Sequence, residues 1–340
     1  MRKIFFITAA IIGSVIVLQQ AQFVLAPLVL ALLLSISISP VVGFLERKKW
    51  NSTLAILLTS LVLFTLLVGV VTIISKQYYN MIDGLPMLGE KTNELLQKIL
   101  DLLNEYLGLD KQKLMAGLGD YTDKLQSTMT GVLESVWSSV SGFLSFMVML
   151  PIFMILILMN RQKLKNFFYQ LPTQEQDLRT WEKTADALKS VVRNYIMGLL
   201  IVVVILAVLN SIGLLILGIP FAIALGLSSA VLSILPYLGN LLGGSLAVLV
   251  AFATKDNPLS ILGVLIMILV VQFLEGNLIT PKVMGNKVNI NAIVTIVALL
   301  VWGFVWGILG MILAVPMTAM IHVLLEHSKK TKAYADLMGE

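Results

Sequence analysis

Glu275 is the one acidic residue between Asp256 and Glu326, and it stands in QFLEGNLITPKVMG with Gln272 three residues before it and Asn277 two after. A carboxylate between two amides suits ion chemistry. It can take up and release a proton or hold a monovalent cation, with the amides as hydrogen-bonding neighbours. The stretch just before it, SILGVLIMILVV, has the composition of membrane hydrocarbon. A carboxylate at the bilayer midplane costs about 2.5–3.5 kcal/mol on insertion scales, so such groups normally face a cavity or a partner. Two placements of Glu275 suit the sequence. It faces a cavity inside the membrane, or the span ends near Leu274 and Glu275 lies in the headgroup layer, paired with Lys282. Pro281 and Gly285 follow as helix breakers.

A second candidate region is SSAVLSILPYLGNLLGG, from Ser228 to Gly244. Pro236 frees a backbone carbonyl about one turn earlier, and Gly239 and Asn240 permit irregular backbone. At membrane depth such backbone survives only where it is buried in protein or lines a wet cavity. A loop between two packed helices is the other reading. The spacings Gly239–Gly243 and Gly303–Gly307 also suit close helix packing. The third region, LVWGFVWGILGMILAVPMTAMI, carries Pro316 near its expected inner end, with Trp302 and Trp306 one turn apart. Lipid-interface anchoring is the expected role of the two tryptophans, with a pocket wall as the other reading.

Enzyme chemistry is not expected. His322 and His327 are the only histidines, five residues apart, with no carboxylate where a zincin helix needs one. There is no G-x-x-x-x-G-K-[ST] phosphate loop, no G-x-S-x-G elbow and no cysteine. No cofactor and no metal site is expected, and ATP hydrolysis by a Walker mechanism is excluded.

The surrounding elements must be membrane helices. The 340 residues are 58% hydrophobic and 13% charged, with mean hydropathy +0.93, whereas soluble domains carry about 25% charged residues. The net charge of +5 comes from Lys and Arg beside apolar runs, the usual cytoplasmic-flank pattern, and does not point to nucleic acid. The fold class is therefore all-α and polytopic, its first partner the lipid bilayer. The N-terminal run MRKIFFITAAIIGSVIVLQQAQ exceeds a signal-peptide core and is expected to be a retained span.

The expected organisation is three transmembrane helices in residues 1–75, an extracytoplasmic helical segment in 76–138, a span in 139–160, a cytoplasmic amphipathic segment in 161–194, a motif-rich core in 195–325 and a cytoplasmic tail in 326–340. Ala26-Pro27 marks an expected tight re-entry between the first two spans. Phe221–Thr254 and Ile293–Leu325 are each about 50 Å long as continuous helix, too long for a simple crossing. Their Pro and Gly content points to broken helices or hairpins. About eight crossings result if each is one kinked span, more if both are hairpins. Basic residues at 2–3, 47–49 and 161–193 put both termini in the cytoplasm of a multi-pass cell-membrane protein. Apolar stripes at 95–106 and 125–136 make the outer segment helical, and Phe167, Phe168, Tyr169 and Trp181 suit an interfacial helix.

Taken together, Pro236-Tyr237-x-Gly239, then Glu275-x-Asn277 with Pro281 and Gly285, then Gly307-x-x-Gly310 with Pro316, resemble the autoinducer-2 exporter family of predicted permeases. The resemblance covers essentially the whole chain. It implies a secondary transporter, homo-oligomeric, with a pentamer as one form, that moves a small molecule such as autoinducer-2 or exchanges Na⁺ for H⁺. The leading expectation is export of a small polar solute coupled at Glu275, with the site between the broken segments at Pro236 and Asn240 and the Glu275–Asn277 cluster. A monovalent cation/proton antiporter is the alternative, and a non-transporting structural protein with organising outer helices is the third reading.

Overall fold

The computed structural model describes residues 2–82, 131, 148–170, 175–235, 238–255, 257–284, 290–327 and 331–339. Among them every regular element is helical: α1 (Arg2–Gln20), α2 (Gln22–Arg47), α3 (Ser52–Ile82), α4 (Val148–Met159), α5 (Arg161–Gln170), α6 (Glu175–Ile216), α7 (Ala222–Leu232), α8 (Leu238–Thr254), α9 (Pro258–Leu274), a π-helical turn (Glu275–Ile279), α10 (Thr280–Met284), α11 (Ala292–Glu326) and α12 (Lys332–Met338). Hydrocarbon offers no hydrogen bonds, so apolar runs of this kind must satisfy their backbone internally, and the helix does so. Among the described residues, five helical stretches are long and apolar enough in overall length and composition to cross a membrane: Gln22–Arg47, Ser52–Lys76, Trp181–Ile216, Leu259–Met284 and Ala292–Glu326. The protein is an all-α polytopic membrane protein. The expected stripes at 95–106 and 125–136 lie outside the described residues.

The chain forms two compact units. The first comprises residues 1–67, 143–202 and 275–340. Its core gathers Leu33 and Val42 of α2, Ile56 of α3, Met154 and Leu158 of α4, Val192 of α6 and Leu313 of α11, all essentially without solvent contact. The buried face of α2 also carries Ala26, Ala31, Ser35 and Ser37. Small residues there let neighbouring helices approach closely, the main source of helix association in lipid. The junction of α1 and α2 falls at Ala21, and Pro27 lies buried inside α2. The tight re-entry expected at Ala26-Pro27 is therefore corrected: the junction comes before it, and Pro27 sits inside α2, as membrane helices allow.

At the far end of α2, Arg161 Nη2 donates to Glu46 Oε1 at 2.5 Å, and Ser52 Oγ donates to the same oxygen at 2.6 Å. This carboxylate ties the α2–α3 connection to the start of α5, so Arg47, Lys48 and Lys49 share a face with Arg161. The expected interfacial aromatics also lie here. Phe168 of α5 stacks on Trp181 of α6 with centroids 5.3 Å apart, and Trp181 Nε1 donates to the Phe168 carbonyl at 2.6 Å.

Helix α11 is a hairpin. Trp306 (φ −130°, ψ 19°) and Gly307 (φ 60°, ψ −139°) leave the helical region. A Cβ built on Gly310 falls 1.8 Å from the Trp302 carbonyl oxygen, and one on Gly303 falls 3.0 Å from Met311 Cγ. Residues eight apart stand about 12 Å apart in a straight helix, so the two halves fold back on each other. The start of α11 accordingly lies at the C-terminal helix: the Asn291 N–H donates to Met338 O at 2.9 Å. The chain thus breaks at Trp306–Gly307, while Pro316 sits buried within the second half. The first half has about 14 residues and spans about 21 Å, short of the ~30 Å hydrocarbon layer. Trp306 is buried and donates from Nε1 to Leu18 O at 3.0 Å, while Gln19 Nε2 donates to Phe304 O at 3.0 Å. The lipid-anchor role expected for Trp306 is corrected on that ground: its ring fixes the hairpin tip to the end of α1.

Asn291 holds the other end. Its Oδ1 accepts from the Val294 N–H at 2.9 Å, an N-cap, and its Nδ2 donates to Leu337 O at 2.9 Å. His322 Nε2 lies 3.2 Å from Ala335 O and His327 Nδ1 lies 2.8 Å from Val323 O, each placed to donate in the matching tautomer. Replacing Asn291 with alanine removes the cap and the link at once. A cap alone is worth about 1 kcal/mol, so N291A is expected to lower stability by roughly 1–2 kcal/mol. Hydrogen exchange should quicken selectively in residues 331–339; uniform exchange across the chain would contradict this.

The second unit comprises residues 68–142 and 203–274. Here Phe221–Thr254 is also a hairpin, with α7 and α8 as its arms. A Cβ on Gly239 would meet Leu232 O at 1.9 Å, and one on Gly243 would meet Ser229 Cα at 2.6 Å. The Gly239–Gly243 spacing therefore serves close helix packing. Helix α9 packs beside α8 and the end of α6, with Gly244 facing Ile268 and Gly263 facing Leu217. Both long Gly/Pro-interrupted stretches are hairpins rather than single kinked spans.

Candidate functional site

The structure does not end the helix at Leu274. It continues through the π turn Glu275–Ile279 into α10, making one apolar span of 26 residues, Leu259–Met284. Proline explains the turn. Pro281 lacks the N–H that would bond to the Asn277 carbonyl in α register, and its ring would clash with that oxygen. Widening the preceding turn to i→i+5 bonding moves the carbonyl aside and lets the rod pass the proline. Such π-bulges are rare and concentrate at functional sites.

Glu275 lies seven residues before Lys282 along this span, about 10 Å. The carboxylate is half-buried, as are Gln272 and Thr280, while Asn277 and Pro281 are exposed. Lys282 is exposed and makes no ion pair among the described residues. The expected pairing with Glu275 is thus not seen. The far end of the rod is anchored within its own unit: Met284 packs on Gly198 of α6, where an added Cβ would meet Met284 Cγ at 3.0 Å.

The sequence-predicted site residues divide between the units. Glu275, Asn277, Pro281 and Pro316 belong to the first, and Gly239, Asn240 and Gln272 to the second. Gly239 is buried on the α7–α8 contact and Asn240 lies in the first turn of α8. Pro236 and Gly285 lie outside the described residues. The unit boundary itself falls between Leu274 and Glu275, at the start of the π turn.

Sequence reasoning missed a buried polar group in the second unit. Asn210 of α6, 8% exposed, donates from Nδ2 to Ser229 Oγ of α7 at 3.4 Å. The adjacent Ser228 Oγ is buried without a hydrogen-bond partner among the described residues. The signal was present: Asn210 is the one amide within the apolar run from Tyr195 to Leu217, and intramembrane polar residues normally face a protein interior.

Residues 4–330 match the family model described as AI-2E family transporter. Two Bacillus subtilis relatives, YueF and YrrI, both named "Putative transport protein", are 30% and 28% identical to the chain. The YueF match covers 87% of this chain and 81% of the relative, and the YrrI match 88% and 85%. The AI-2 transport protein TqsA of Escherichia coli (strain K12) is 22% identical over 95% of this chain and 91% of its own length. Near-complete coverage by the family model, on a frame of apolar spans interrupted at its motifs, leads to one conclusion: this chain belongs to the AI-2E transporter family.

Proposed function

We propose that this transporter exports a small polar solute of the autoinducer-2 kind and couples that movement to an ion exchanged at Glu275. The observation that carries the reading is the half-buried carboxylate at the head of a π turn, within the long span Leu259–Met284. A carboxylate so placed is stable when it is protonated or holds a cation, and ready to exchange either where water reaches it. The wide turn supplies backbone groups outside the ordinary helical ladder. Gln272 and Asn277 add amide groups within a turn, and the name of the Escherichia coli relative supports the solute class.

In the orientation we propose, the face bearing Arg47–Lys49 and Arg161 is cytoplasmic, following the positive-inside rule. The export form is a homo-oligomer in the plasma membrane.

The test is reconstitution of the wild type and Glu275→Gln in proteoliposomes with an imposed proton or Na⁺ gradient. Glutamine keeps the shape but cannot exchange a proton, so gradient-driven export is expected to fall at least tenfold, to the level of empty vesicles. Unchanged flux would remove Glu275 from the mechanism. Sodium-dependent proton movement without any solute would make the protein a cation/proton antiporter instead, acting through the same carboxylate.

A further inference from the structure

A cavity of about 600 Å³ lies wholly within the first unit, at the face that carries the Glu46–Arg161 ion pair. Its chemistry is two-sided. Leu32, Ile36, Ile157, Val192 and Met320 supply apolar walls, and Arg161, Lys165, Lys189 and Arg193 supply four cations. The one carboxylate in the lining, Asp186, is already held by Lys189 at 3.3 Å. Arg161 is likewise spent on Glu46. That leaves Lys165 of α5 and Arg193 of α6, neither of which has an ion-pair partner among the described residues.

An independent observation comes from α2. Ser35 lines the same cavity, is 2% exposed, and its Oγ has no hydrogen-bond partner among the described residues. Two residues on, Ser37 Oγ bonds to the Leu33 carbonyl one turn back, the usual solution in an apolar helix. An unmet buried hydroxyl costs free energy; an acceptor brought by a ligand removes the cost.

We propose that this cavity binds one anionic phospholipid from the leaflet on that face, with its phosphate between Lys165 and Arg193 and its acyl chains against the apolar wall. Charge complementarity selects the headgroup: basic pockets between membrane helices suit anionic lipid heads. The wall selects a lipid over a free phosphate, because a small anion would leave that apolar surface uncovered, whereas a chain buries it. Ser35 Oγ then donates to an ester oxygen below the headgroup. Phe168 and Tyr169, both in the lining, are the aromatic types found at headgroup level. The proposal does not depend on Glu275 or on transport.

The test is lipid binding by native mass spectrometry on the full-length protein in mild detergent. Phosphatidylglycerol and phosphatidylethanolamine with the same acyl chains are compared. Retention of phosphatidylglycerol is expected to exceed that of phosphatidylethanolamine at least tenfold. The double variant Lys165→Ala/Arg193→Ala should weaken it roughly thirtyfold, since each cation beside an anionic surface contributes similarly. Lys183→Ala, on α6 but outside the cavity lining, should change it less than threefold. Lys165→Gln/Arg193→Gln serves if the alanine pair does not fold. Equal retention of the two lipids, or a double variant that binds like wild type, overturns the proposal. So does full displacement of phosphatidylglycerol by millimolar glycerol 3-phosphate, which would make the site one for a small soluble anion.

Discussion

Alanine at Gly310 is expected to open the α11 hairpin, lowering stability by about 3 kcal/mol or more and abolishing transport. The added Cβ would sit 1.8 Å from the Trp302 carbonyl oxygen, 2.6 Å from its carbon and 3.1 Å from Trp306 Cβ. Two of these are backbone atoms that cannot rotate away, so the arms of the hairpin must separate. Separation would also pull Trp306 from its bond to Leu18 O and Gln19 from Phe304 O, the two contacts that fix the tip. Neighbouring glycines grade the effect. At Gly303 a Cβ meets the side chain of Met311, whose flexible end can move, so G303A should cost about 1 kcal/mol. At Gly307 there is open space, but φ 60° with ψ −139° is a region that side chains rarely tolerate, so G307A should cost about 1–3 kcal/mol. Thermal unfolding in detergent should therefore rank the variants G310A, then G307A, then G303A by loss. Equal melting temperatures for G310A and wild type would mean that the arms do not pack as described.

Much of this architecture was legible in the chain, for a physical reason. Apolar runs such as Ser52–Lys76 can only be helices in lipid, and Gly/Pro content marked Phe221–Thr254 and Ile293–Leu325 as interrupted. The location of the second break was not legible. Pro316 advertises a break and does not make one, because membrane helices can re-satisfy the groups that proline frees. The actual turn needs a positive φ, which glycine permits but does not announce, and nothing but packing distinguishes Gly307 from Gly303. Trp306 illustrates the same limit: its side chain suits an interface or an interior hydrogen bond equally well until α1 is seen beside it.

Glu275 was legible as unusual, but the continuation of the helix past it was not. Pro281 reads as a stop signal, and only a change of helical register carries the rod past it. The cavity was hidden for another reason. Lys165 and Arg193 come from the consecutive helices α5 and α6 but Ser35 from α2, far earlier in the chain, and their approach depends on core packing through Leu158 and Val192 that no local pattern encodes.

The same register argument gives a second large effect. A π turn amounts to one extra residue in a helix, so deleting Gly276 should restore an unbroken α-helix through this region. Gly276 is exposed and nothing lies within 4 Å of where its Cβ would be, so the deletion removes no packing of its own. Five residues of π turn advance the chain about as far as four of α-helix, so Met284 stays beside Gly198. The Asn277 carbonyl, however, would return to the position where the Pro281 ring collides with it. The penalty is a proline inside regular helix, about 3 kcal/mol. Transport should be lost as fully as in Glu275→Gln. The Gly276→Ala substitution keeps the register and meets open space, so it should retain near-normal stability and export. A deletion variant that exports like the wild type would show that the π turn is only an accommodation of Pro281. Loss in the deletion with retention in the substitution would tie export to the wide turn that begins at Glu275.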